Sequence, residues 1–227
     1  MHANSELLFK KHALPYFSRD SRVLEIGPTG NPSHYCRLVN DSTIRWHTLD
    51  IDTDYLSGGE KHPLHIVSTS EYCYPVEDDM FDLVVSGQVM EHVGRIWTWL
   101  KELERITKPG GKIVIISPTS WPYHEAPIDC WRIYPDGMRL LVADFTHLEV
   151  VVCAHECLES QFLDTPEIIE GRSSIDLQMK PLLKVRRKML FNRVCARLAG
   201  IHRHFGNYII PIEAAYDNIC VLRKPAT

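Results

Sequence analysis

Four groups of residues in this chain have types and spacings that can do chemistry. The first is VLEIGPTGNP, residues 23–32, where Glu25 lies two residues before Gly27 and five before Gly30. Glycine takes backbone angles closed to other residues and lets a ligand approach the chain closely. Asp50 ends a second apolar run 20 residues after Gly30. A carboxylate in that position can accept hydrogen bonds from two ribose hydroxyls. Neither G-x-G-x-x-G nor a glycine followed by Lys-Ser/Thr is present, so pyrophosphate and triphosphate loops are disfavoured. Glu25 would also repel phosphate, whereas it suits an ammonium or a sulfonium. The plainer alternative stays open: two glycines that shape a turn and an aspartate that caps the next segment.

The second group is SGQVMEHV, residues 86–93, with Gln88, Glu91 and His92 just past an apolar run. Glu91 reads as a carboxylate complementing the dipole of a following helix. The third is PTSWPYHEAPIDCWRIYPDG, residues 118–137. Trp121, Tyr123, Trp131 and Arg132 there can hold a sugar or ring. His124 is the first choice as general base, followed by Asp129, with His92 as a third candidate. The structural alternative makes Asp129–Arg132 an ion pair and Trp131 a plug. The fourth is CAHEC, residues 153–157. Cys153, His155 and Cys157 would share a strand face, but a structural zinc needs a fourth ligand, and none is marked. No metal is expected.

These residues need elements to position them. Short apolar runs at 22–27, 43–51, 65–69, 81–86, 108–118, 147–156 and 217–225 read as strands. Helical periodicity covers 5–18, interrupted near Pro15, as well as 95–106 and 136–145, and Asn31-Pro32 suits a helix start over 31–40. Strands alternating with helices at this spacing predict a parallel sheet covered on both faces. Between the last two strands lies an insertion, 157–210, too long for a bare loop. Eight Lys and Arg fall within 180–203 with no acid from Leu177 to Ile212, on apolar residues at helical spacing, so a basic amphipathic helix is expected over 180–205.

VLEIGPTG, TLDID, FDLVVSGQVMEHV and ELERITKPGGKIVIISP, in this order and spacing, resemble the class I S-adenosylmethionine-dependent methyltransferases of the UbiE/type-11-like group. The resemblance covers about residues 20–155. It implies an α/β, Rossmann-like, seven-stranded and mostly parallel sheet with helices on both faces. The last strand would be antiparallel, with a helical insertion before it. By resemblance, Glu25, Gly27 and Gly30 line the methionine end of the cofactor and Asp50 the ribose. Ser70 or Glu71 meets the adenine, and Gln88 faces the reactive end. The family loop E-x-G-x-G-x-G is altered here, since Thr29 and Asn31 replace its second and third glycines. Asn tolerates left-handed angles, so a variant loop with an open pocket is expected.

The whole chain sets the bounds. With 227 residues and 44% hydrophobic residues it can bury a core as one domain. That domain would comprise an N-terminal helix (1–20), a cofactor core (20–155) holding the substrate loop (118–137), the insertion or lid (157–210) and a last strand (211–227). The net charge of −4 makes no case for nucleic acid. Seven irregularly spaced cysteines, with neither a signal peptide nor a membrane span in view, point to the cytoplasm. The expected activity is O-methylation of a small molecule or saccharide hydroxyl, with S-adenosylmethionine as donor and S-adenosylhomocysteine as product. N- or C-methylation and a non-catalytic adaptor acting through the basic helix are the alternatives. A homodimer and peripheral membrane contact through 180–205 remain open.

Overall fold

The computed structural model of the chain describes residues 3–51, 63–121, 123–125, 127–158, 168–171 and 216–226. Among them, eight strands form one sheet: β1 (Arg22–Ile26), β2 (Arg45–Asp50), β3 (His65–Val67), β4 (Phe81–Gly87), β5 (Thr107–Pro118), β6 (Glu149–Leu158), β7 (Ile168–Gly171) and β8 (Tyr216–Arg223). Their order is β3-β2-β1-β4-β5-β8-β6-β7. Strands β1 to β5 pair in parallel, and β8 runs antiparallel between β5 and β6. This is the expected mostly parallel sheet with an antiparallel last strand, extended at one edge by β7.

Strand alternation divides the core into two layers. Leu24 and Ile26 of β1 face one side. They join Trp99, Leu100, Leu103 and Ile106 of α3 (Ile96–Ile106) and Met138 and Val142 of α4 (Pro135–Phe145). Val23 faces the other side, with Leu8 of α1 (Ala3–Leu8), Phe9 and Ala13 of the π-helical turn that follows, and Tyr35 of α2 (His34–Val39). Glu25 shares the face of Val23, so the sequence puts a carboxyl group inside an apolar layer. Burial there sets both the protonation of Glu25 and the partners it must find.

Three expectations need correction. Helix α2 begins at His34, two residues later than an Asn31 cap suggests, because Ser33 is the N-cap and accepts from the Cys36 N–H at 3.1 Å. The N-terminal helix stops at Leu8 and passes through a π turn and a 3-10 turn containing Pro15. The expected helical insertion contains a strand, β7, paired antiparallel to β6. The basic segment 180–205, its suggested lid, dimer and membrane roles, and Asp52 of TLDID lie outside the described residues. Among the described residues no helix is long and apolar enough to cross a membrane.

Candidate active site

The carboxyl ends of β1, β2, β4 and β5 and the start of β8 meet along one edge of the sheet. At the end of β1 the chain turns through Gly27 and Gly30, at φ 67° and 80°. A side chain at Gly27 would be strained by that angle and would lie 2.4 Å from Val89 Cγ2. The Gly27 N–H donates to Leu49 O at 2.9 Å, tying the turn to β2 just before Asp50. Asp50 stands at the end of β2, where Oδ1 accepts from the Ile51 N–H at 2.7 Å. Ser70 and Glu71 follow β3 in a tight turn, where Ser70 Oγ accepts from the Tyr72 N–H.

Glu25 does not present a bare carboxylate. It is buried, and its Oε2 accepts from both Ser33 Oγ and Trp46 Nε1, the latter at 2.9 Å. Ser33 caps α2, so Glu25 fastens the glycine turn to the first turn of that helix. Burial pushes its carboxyl up to about 7, against the pull of these two hydrogen bonds. The folded value lies above the ordinary 4.5, so the folded state holds the proton more tightly than the unfolded chain. The resulting stability is full below about pH 4.5 and is lost as pH rises through about 7. Its size is on the order of 3 kcal/mol. Glu25→Gln keeps an acceptor oxygen and cannot ionise. The difference in Tm between this variant and the wild type, measured without ligand, should therefore rise in the variant's favour from pH 5 to pH 8. A flat difference would show that Glu25 does not titrate in that window.

Beyond β4 the site becomes denser. Gln88 has a left-handed φ of 59°, a strained state for a long side chain that surrounding contacts must hold in place. Its amide donates to Asp217 Oδ1 at 3.2 Å and to Ser5 Oγ at 3.3 Å. Asp217 is buried and also accepts from Asn4 and Ser5 through Oδ2. The N-terminal helix is thus drawn onto the site edge by polar bonds. Tyr35 packs against Gly87, where a Cβ would meet its hydroxyl at 2.3 Å. Tyr35 Oη, Ser86 Oγ and both oxygens of Glu91 are buried without a hydrogen-bond partner.

Loop 118–134 closes over this edge through three bonds to the Met90–His92 3-10 turn and the residue after it. The Cys130 N–H donates to Glu91 O at 2.7 Å, His92 Nδ1 to Ile128 O at 2.6 Å, and Trp131 Nε1 to Val93 O at 2.8 Å. His92 and His124 then meet edge to face, with ring centroids 4.8 Å apart. Burial pushes the Glu91 carboxyl up to about 8.

The structure thus brings together His92, His124 and Asp129, the three residues expected to do chemistry, and assigns Asp129 a different task. Both its oxygens are held by Arg132, at 2.6 and 2.8 Å, and it accepts the His124 N–H at 2.8 Å. The Arg132 guanidinium holds the carboxyl down at about 2, so Asp129 is a poor base and acts as a brace for the loop. Arg132 also donates to the carbonyls of Trp121 and Trp131, and Trp131 packs edge to face on Trp97. These two residues thus make the loop contacts that the structural alternative anticipates. Trp121 and Tyr123 remain exposed, with Tyr123 Oη donating to Glu125.

Sequence reasoning gives Glu91 a helix-dipole role only and does not point to Tyr35, Asn4, Ser5 or Asp217. Yet α3 begins only at Ile96. The adjacent Glu-His pair directly after a buried strand was the available signal. Cys153 contacts the Pro135 carbonyl and Asn218, as a packed thiol does. A groove of about 720 Å³ lined by His47, Leu64, Ile66, Tyr74 and Met80 lies along β2 and β3, and none of the expected site residues lines it.

Residues 24–115 match the profile of the methyltransferase domain family. They form a methyltransferase domain. An uncharacterized methyltransferase of Mycobacterium bovis is 30% identical over 120 residues, 51% of this chain and 45% of that protein. The chain thus spans a little under half the length of the relatives it matches. In three dimensions the methyltransferase domain and its additions resemble an S-adenosylmethionine-dependent methyltransferase of Archaeoglobus fulgidus. There the TM-score is 0.57 and the identity 20%, over 97% of this chain and 93% of the other. A Haloferax volcanii protein described as a putative methyltransferase, solved with its Trm112 activator, gives a TM-score of 0.58 at 18% identity, over 96% and 89%. At these identities the likeness concerns the fold.

Proposed function

We propose that this chain is an S-adenosylmethionine-dependent methyltransferase acting on a hydroxyl of a small molecule or saccharide. The observation that carries the reading is the set of carboxyl groups along one sheet edge: Glu25 under the glycine turn, Asp50 at the end of β2, Glu91 after β4 and Asp217 at the start of β8. Such an edge disfavours phosphate and suits a cationic cofactor. The orphaned Tyr35 hydroxyl and the left-handed glycine turn fit a ligand seated against β1 and β4, since buried polar groups are normally satisfied. S-Adenosylmethionine, when bound, supplies an electrophilic methyl group on a sulfonium.

The chain's own residues divide the remaining work. Asp50 accepts from the ribose hydroxyls, and Ser70 or Glu71 meets the adenine amino group. Gly27 and Gly30 let the backbone approach, while Glu25, bonded to Ser33 and Trp46, holds the glycine turn against the start of α2. Gln88, held by Ser5 and Asp217, borders the reactive end. The substrate hydroxyl is received beside His92 and His124, with Trp121 and Tyr123 on the outer rim. Alignment of the two reacting groups supplies most of the acceleration in such a transfer.

Calorimetry with S-adenosylmethionine and S-adenosylhomocysteine tests the reading. Both are expected to bind at micromolar concentration, and His124→Ala should lower turnover while leaving cofactor affinity within about twofold. Absence of binding at high micromolar ligand would leave the adaptor alternative standing instead.

A further inference from the structure

We propose that Glu91, His92 and His124 form a binding site for one divalent cation of the Zn²⁺ class. One ligand atom from each residue lies within 4.8 Å of the other two. The three come from two separate segments, the turn after β4 and the loop after β5, held together by the bonds that Cys130, His92 and Trp131 donate. Sequence reasoning anticipated no metal here and considered one only at CAHEC.

The state of Glu91 points to a ligand. Its side chain is fully buried, and neither carboxylate oxygen has a hydrogen-bond partner. Buried polar side chains are normally satisfied, so an unpartnered carboxyl group facing an imidazole is a candidate metal ligand. The charge of Arg132 acts on Glu91, and His92 Nε2 is 3.9 Å from Glu91 Oε1. That distance is too long for a hydrogen bond and leaves room for an ion between the two atoms.

The histidines carry the supporting contacts that metal sites use. A carbonyl oxygen only accepts, so the 2.6 Å contact to Ile128 O places the His92 proton on Nδ1 and leaves the Nε2 lone pair facing Glu91. A carbonyl behind the ring in this way fixes the tautomer of metal-bound histidines. His124 Nδ1 lies 3.4 Å from Asp129 Oδ2, and Asp129 is locked by Arg132, so a carboxylate orients the second ring as well. Two imidazoles and one carboxylate make a donor set that suits zinc and leaves a coordination position open for water or a substrate oxygen. Zinc ligands at about 2.1 Å stand roughly 3.4 Å apart in a tetrahedron. Loading therefore draws the three groups closer by a little over ~1 Å at the widest pair, a movement the exposed loop carrying His124 can supply.

Such an ion would lie on the same sheet edge as Gln88, the residue assigned to the reactive end of the cofactor. It would lower the pKa of a hydroxyl bound at its open position. That role rests on the methyltransferase reading; the existence of the site does not. The test is a CoCl₂ titration of the full-length, tag-free protein after chelator treatment, read by visible d–d absorption, followed by displacement with ZnCl₂ and elemental analysis. One equivalent of cobalt is expected, with the bands of a four- or five-coordinate site and no thiolate charge-transfer band. Glu91→Gln and His124→Ala should each weaken binding at least tenfold. His124 lies on the surface loop with its side chain 40% exposed, so its variant keeps the fold even if the buried Glu91→Gln does not. No visible band, a thiolate band, or wild-type affinity in His124→Ala would overturn the site. Calorimetry with S-adenosylmethionine on metal-free protein separates the two readings. Cofactor binding without cobalt binding sinks only the metal site, and the reverse sinks only the methyltransferase reading.

Discussion

Asp217→Ala is expected to lower the unfolding free energy by about 3 kcal/mol, because it strands buried donors that now converge on one carboxylate. Asn4, Ser5 and Gln88 all donate to Asp217, and Asn4, Ser5 and Asp217 are buried. Gln88 would also lose a contact that offsets its left-handed backbone. For a chain of this length the change amounts to a fall in Tm of about 10 °C, readable by thermal unfolding. Asp217→Asn retains one acceptor and should recover part of the loss. A Tm for Asp217→Ala within about 2 °C of wild type would mean that the N-terminal helix is not fastened through this residue. Since Gln88 borders the proposed reactive end, the same variant should weaken turnover more than the stability loss alone predicts.

Asp50→Ala is expected to reduce S-adenosylmethionine affinity by about 10- to 100-fold. The hydrogen bonds from the ribose hydroxyls to a charged acceptor are lost, and a 10- to 100-fold loss, about 1.4–2.8 kcal/mol, is the size expected of one such bond. Asp50 sits at the end of β2, outside the apolar layers, and accepts from the neighbouring Ile51 N–H. The fold should therefore survive the change. Calorimetry on the variant, with Tm measured alongside, checks both halves. Unchanged affinity would remove Asp50 from the cofactor site and return it to the plain capping role.

Several elements were legible from pattern alone because their signals are local. The apolar runs of β4 and β5 are nearly continuous, as strands covered on both faces require, and α3 carries its buried residues at 3–4 spacing. The start of α2 was misplaced because Asn31-Pro32 has the chemistry of a cap, while the residue that bonds back to the helix is Ser33. The eighth strand, β7, was missed since a strand at a sheet edge is chosen by its neighbour more than by its own composition.

The site divides along the same line. Glu25, Gly27, Gly30 and Asp50 could be picked out because each is set by its distance from a strand end within one short stretch. The condition of Glu25, buried and doubly hydrogen-bonded, could not, since Trp46 lies 21 residues away and reaches it only through β1–β2 pairing. Asp217, on the last strand, meets Asn4 and Ser5 across more than 200 residues. No spacing rule connects them.

By itself, then, the sequence determined the alternation of strands and helices, the glycine turn with Glu25 before it and the acid that ends β2, because these follow from periodicity and from backbone angles that few residues allow. Only the tertiary structure decided what each acid does. It pairs Asp129 with Arg132, ties Glu25 to the cap of α2, gathers the N-terminus around Asp217, and leaves Glu91 buried beside two histidines. The physical reason is that a carboxyl group's role is set by desolvation and by the donors around it, and those donors arrive from segments far apart in the chain.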